Sequence, residues 1–115
     1  GPGEPQWYVT LSPAGEIVAG VGLIPQDFHD RPDLTPNLCA LFVEEAWRGQ
    51  GLARRLVEQL LTDAREEGYE AMLLDTFPFL SQAIRLYRAL GFYEIPRYNS
   101  FGRSLIYMQK DLKPA

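Results

Sequence analysis

The sequence predicts one α/β (α+β) domain: a mixed, mainly antiparallel sheet with a central parallel pair and two packed helices. Three observations carry that expectation. Short runs of β-branched, aromatic and aliphatic residues recur from Gln6 to Asp111. Two longer stretches switch to the 3.6-residue period of a helix with one apolar face. Those stretches fall between strands, so the order reads β-β-β-α-β-α-β-β, and 115 residues leave room for one core.

Residues 1–5 read as a flexible end or tag remnant, which leaves 6–113 as the domain. Residues 6–11 are rich in aromatic and β-branched side chains and predict a strand; Ser12-Pro13-Ala14-Gly15 turns the chain back. Residues 16–24 form the returning strand, where Gly20 and Gly22 predict a bend or a close backbone approach. Residues 25–36 are polar and aperiodic, hence a loop. Residues 38–43 are apolar on both faces, which predicts a fully buried central strand.

A helix opens at Leu52. Leu52, Leu56 and Leu60, with Ala53, Val57, Leu61 and Ala64, make its apolar face, and Gly68 stops it. Residues 71–76 are a second buried strand, expected to run parallel to the central one through a right-handed crossover. Pro78 opens another helix over roughly residues 80–90, with Ala83, Ile84, Tyr87 and Leu90 on one face, and Gly91 ends it. Residues 92–95 and 104–111 are the last strands, joined by a loop over 96–103.

Composition narrows the function. The net charge of −4 argues against nucleic acid as a partner and suits a cationic amine. No apolar run approaches the ~20 residues of a membrane span, and no secretory signal opens the chain. Cys39 is the single cysteine and the only histidine, His29, is not its neighbour, so an inert strand thiol is expected rather than a nucleophile. A cytoplasmic setting follows as the default, and no metal is expected.

The chemistry concentrates between the central strand and the first helix, in Glu44-Glu45-Ala46-Trp47-Arg48-Gly49-Gln50-Gly51. A helix start carries unpaired N–H groups and the positive end of the helix dipole, and glycines let an anion come close. A Walker loop would need Lys-Ser/Thr where Leu52-Ala53 stands. A dinucleotide fingerprint would need glycine at Arg54 and its first glycine directly after the strand. The pattern Arg/Gln-x-x-Gly-x-Gly/Ala is met in full by Arg48-Gly49-Gln50-Gly51-Leu52-Ala53. An ordinary Gly-rich turn before an amphipathic helix is the alternative.

This segment resembles the acetyl-CoA loop of the GCN5-related N-acetyltransferase (GNAT) family. A second stretch, Ala83-Ile84-Arg85-Leu86-Tyr87-Arg88-Ala89-Leu90-Gly91-Phe92, is similar to that family's A-x-x-L-Y-x-x-x-G-F segment. The element order matches the family fold from its second strand to its end. The resemblance implies an acetyl-CoA-dependent N-acetyltransferase acting on a primary amine of a small molecule or protein. A non-catalytic CoA-binding or assembly module of the same fold is the alternative.

The resemblance also implies roles. The amides of Arg48, Gly49, Gln50, Gly51, Leu52 and Ala53 would hold the pyrophosphate, with Arg54 as an extra phosphate contact. Leu41, Phe42 and Val43 would flank the pantetheine arm, one of their N–H groups polarising the thioester carbonyl. Tyr87 would protonate the leaving thiolate, against the alternative of a core tyrosine. The sequence departs from the family at three places. Thr35 stands where some members carry a glutamate base; Glu44 and Glu45 are nearby carboxylates of the kind usually solvated. Leu80 stands where many members place an asparagine. The first strand and helices, which wall the acceptor site, are missing, so either the chain is a fragment or another chain supplies the wall; the free hairpin edge invites a homodimer.

Overall fold

Ser12 starts the turn that folds the first two strands together. Its N–H donates to the Glu16 carbonyl at 2.8 Å, its carbonyl accepts from the Gly15 N–H at 2.9 Å, and its Oγ accepts from the Glu16 N–H at 3.2 Å. The hairpin so closed pairs Gln6–Leu11 (β1) antiparallel with Ile17–Ile24 (β2). The computed structural model describes residues 5–24, 36–96 and 105–113. The loop expected at 25–36 falls outside these except for Pro36, and so do His29, Thr35, Ser104 and the loop expected at 96–103 except for Pro96.

The chain continues through Asn37–Val43 (β3), Leu52–Glu66 (α1), Ala71–Thr76 (β4), Ser81–Ala89 (α2), Tyr93–Ile95 (β5) and Ile106–Asp111 (β6). The sheet order is β1-β2-β3-β4-β6-β5, with β3 and β4 parallel and the other neighbours antiparallel. The last strand therefore inserts between β4 and β5. Elements fall within two residues of their expected ends, and Gly68, at φ 90°, follows the end of α1.

One core forms where α1 covers the sheet. Val57, Leu60, Met72 and Met108 are fully buried, packed with Val21, Leu23 and Leu74. Tyr8 sits opposite Val21 on the same face, and its hydroxyl donates to Asp63 Oδ2 on α1 at 2.8 Å. Gln6 Nε2 donates to Glu67 Oε1 at 3.0 Å. Desolvation, then the Asp63 carboxylate, push the Tyr8 hydroxyl well above the ordinary tyrosine range. The opposite face of the hairpin is open: Trp7, Val9 and Leu11 are exposed.

One expectation is sharpened and one changes. Gly20 and Gly22 flank the register shift between β2 and β3, the irregularity they predict, and the room they make is taken chiefly by aromatic rings. A Cβ on Gly22 would lie 2.5 Å from the Trp7 ring, and one on Gly20 would lie 2.8 Å from the Phe42 ring. The central strand is not fully buried. Asn37 and Leu38 are, but Cys39, Leu41 and Val43 are half-buried, and Ala40 and Phe42 are exposed. The cause is the neighbour: the parallel pairing of β3 with β4 is confined to Asn37 opposite Leu73.

The two faces of the hairpin predict a contrast in stability. Leu60→Ala should cost ~2–5 kcal/mol, because it leaves a cavity in the packed core. Leu11→Ala, at a side chain 56% exposed, should stay within about 0.5 kcal/mol of the parent. Urea unfolding of the two variants checks both.

Candidate functional site

The strand that should carry a ligand's arm is bent before it reaches the site. Gly22 pairs with Cys39 and Gly20 with Phe42, so Ala40 and Leu41 together oppose Val21. This is a β-bulge, and Ala40 takes the left-handed φ of 54° that bulges permit. On its other side β3 is tied to β4 by the Leu73 N–H donating to the Pro36 carbonyl at 2.9 Å, and past that point the strands part. Leu41, Phe42 and Val43 border the gap.

The turn that follows is held at both ends. The Glu44 N–H donates to the Val18 carbonyl at 2.8 Å, and Glu45–Trp47 form a single 3₁₀ turn. Arg48 folds back so that its Nε donates to the Val43 carbonyl at 3.0 Å. Gly49 and Gly51 lie at φ 81° and 77°, conformations that L side chains avoid. A Cβ on either would meet nothing within 4 Å, so conformation and not crowding demands glycine there. The Gly51 carbonyl accepts from the Arg55 N–H at 3.1 Å, the first bond of α1. Among the described residues, the amides from Gly49 to Arg54 donate to no backbone or side-chain acceptor. They form a row of free donors at the positive end of a helix dipole, a setting that favours an anion.

Strand, turn and second helix enclose a cleft of about 660 Å³. Leu41, Phe42 and Val43 form one wall, and Trp47, Arg48, Gly49, Gly51, Leu52 and Ala53 form the end. The start of α2 closes the far side with Phe79, Leu80, Ser81, Gln82, Ala83 and Leu86. The structure thus brings together all the expected cofactor-contacting residues except Gln50 and Arg54, which do not line the cleft. The Arg54 guanidinium turns to Glu58, 3.6 Å away on the next turn, in a half-exposed pair worth little. Trp47, Phe79 and Leu86 were not singled out from the sequence. The aromatics flanking Pro78 ahead of the helix were the available signal for Phe79.

Tyr87 stands one helical turn beyond Ala83, on the same side of α2, yet it does not line the cleft. It is 5% exposed, edge-on to Phe92 with ring centroids 5.7 Å apart. Its hydroxyl has no hydrogen-bond partner among the described residues. Burial pushes its pKa up to about 12. Glu44 and Glu45 are exposed, as expected of turn carboxylates. Among the described residues no group of three or more His, Cys, Asp or Glu is placed to hold a metal, and no helix is long and apolar enough to cross a membrane.

The arrangement suits an elongated ligand that carries phosphate at one end and a peptide-like arm at the other. The free amides of the turn meet the first, and the bare edge of β3 meets the second.

Two outcomes test this geometry. Gly51→Ala should lower stability by about 1–2 kcal/mol through left-handed strain alone, measured by denaturant unfolding. Tyr87 favours its protonated form in the folded state, so its contribution is complete below the ordinary tyrosine pKa of 10.0 and is lost as pH rises toward about 12. Tyr87→Phe should therefore show a shallower loss of stability than the parent across that alkaline window.

The chain matches the model of the acetyltransferase (GNAT) family over residues 2–92. It is 36% identical over 97 residues to the uncharacterized N-acetyltransferase YjgM of Escherichia coli, covering 82% of this chain and 54% of that protein. Its fold superposes on yncA of Salmonella typhimurium, solved with its cofactor acetyl-CoA, with a TM-score of 0.71 and 26% identity over 90% of this chain and 63% of the other. A GNAT-family acetyltransferase of Staphylococcus aureus gives a TM-score of 0.84 at 20% identity, covering 96% of this chain and 70% of that one. The matched stretch spans between 27% and 64% of the curated relatives' own length.

Proposed function

Because this chain belongs to the GNAT acetyltransferase family, we propose that it binds acetyl-CoA and transfers the acetyl group to a primary amine of a small molecule or protein. One observation carries the reading: a single cleft is lined both by the Arg48–Ala53 turn with its free amides and by the bare end of β3. Acetyl-CoA, when bound, supplies an activated thioester whose carbonyl carbon the amine attacks as the C–S bond breaks.

The residues of the chain divide the work. The amides of Gly49 to Ala53 hold the pyrophosphate, and the Arg48 guanidinium, fixed on the Val43 carbonyl, adds positive charge beside them. The backbone of Leu41 to Val43 aligns the pantetheine and offers an N–H to the carbonyl oxygen, which gains charge as the amine adds. Tyr87 would give its proton to the departing sulfur, while the proton shed by the attacking amine would pass to water. A phenol near pKa 12 is a weak donor to an ordinary thiolate of pKa about 8.5. The single cysteine fits a cytoplasmic setting, and the outer edge of β1 is the place for a second copy to pair.

A second reading, a CoA-binding module without turnover, is favoured by the absence of Tyr87 from the cleft lining. Calorimetry with acetyl-CoA, CoA and NAD tests the binding site; tighter binding of NAD than of either CoA species overturns it. Thiol release over a panel of polyamines, aminoglycosides, amino acids and peptides then separates enzyme from module. In the enzyme, Tyr87→Phe should leave acetyl-CoA affinity near that of the parent and lower turnover ~10²–10⁴-fold. Turnover within about twofold of the parent would make Tyr87 a core residue.

A further inference from the structure

Phe79 is out of place for a core residue and well placed for a ligand. It precedes α2, it is 75% exposed, and it lines the same cleft as the Arg48–Gly51 turn. Singly exposed apolar residues are ordinary on protein surfaces. Phe79 is not single: its ring stacks on Phe77 with centroids 5.2 Å apart and planes within 17°, and Pro78 between them restricts the backbone. One face of the ring is therefore covered and held, and the other faces solvent at the mouth of the cleft.

A ring fixed in this way is a stacking platform, because little side-chain freedom remains to be lost when a second flat group settles on it. The partner it fits is planar, apolar on its faces and carried by a molecule whose phosphates occupy the neighbouring turn. We propose that Phe79 stacks on the adenine of the coenzyme, so that Phe77, Phe79 and the base form one continuous pile and the adenosine half contributes directly to affinity. This rests on the acetyl-CoA reading above. A flat acceptor amine would be drawn to the same ring, and the test separates the two.

The experiment is titration calorimetry of the full chain and of Phe79→Ala and Phe79→Trp with three probes: CoA, adenosine 3′,5′-bisphosphate, and acetyl-4′-phosphopantetheine, which lacks the adenosine. Phe79→Ala should weaken CoA and the bisphosphate roughly tenfold, the scale of one base-on-aromatic stack. It should leave acetyl-4′-phosphopantetheine within about twofold, and Phe79→Trp should bind CoA at least as tightly as the parent. An equal loss on all three probes, or unchanged CoA affinity with a change confined to the acceptor's KM, overturns the stacking assignment. A parent chain that binds acetyl-4′-phosphopantetheine but not the bisphosphate overturns it while sparing the acetyl-CoA reading. A parent that binds none of the three overturns both.

Discussion

The parting of β3 from β4 after Asn37 and Leu73 governs the rest of this molecule. A parallel pair that stayed zipped would satisfy its own backbone and leave no cleft. Because the strands diverge, one edge of β3 is left without a ladder neighbour at the level of Leu41 to Val43, and buried backbone groups without partners are costly. The bulge at Ala40 belongs to the same arrangement: it bends β3 where the register with β2 shifts between Gly20 and Gly22, which leave room for the Phe42 and Trp7 rings. The turn and both helix starts then collect around the opening.

Much of this was legible because local chemistry and global fold agree. Both helices announce themselves by period, and the turn by Arg48, Gly49 and Gly51, whose positive φ values give the glycines a physical reason to be there. The burial of β3 was misread because the apolar wall of a cleft and the apolar wall of a core are written in the same residues. Only the extent of pairing, a long-range property, tells Leu41 and Phe42 apart from Leu73 and Leu74. The insertion of β6 between β4 and β5 is likewise a tertiary choice with no local mark.

Within the site, backbone placement was readable and side-chain placement less so. The amides follow from the turn's conformation, which sequence dictates strongly. Arg54 depends on a rotamer, and Glu58 one turn on competes for it. Tyr87 shows the same divide. Its place on the apolar face of α2 was evident, but lying behind the lining, edge-on to Phe92, depends on how that helix packs.

The two tryptophans of the chain have a spectroscopic consequence. Trp7 lies 62% exposed on the open face of the hairpin, away from the cleft, whereas Trp47 is half-buried in the cleft wall beside Arg48. An indole in a cleft emits at a wavelength set by the water around it, and any ligand seated there displaces that water. Occupancy of the site is thus written into the intrinsic emission of Trp47, while Trp7 supplies a constant red-shifted background against which it is seen.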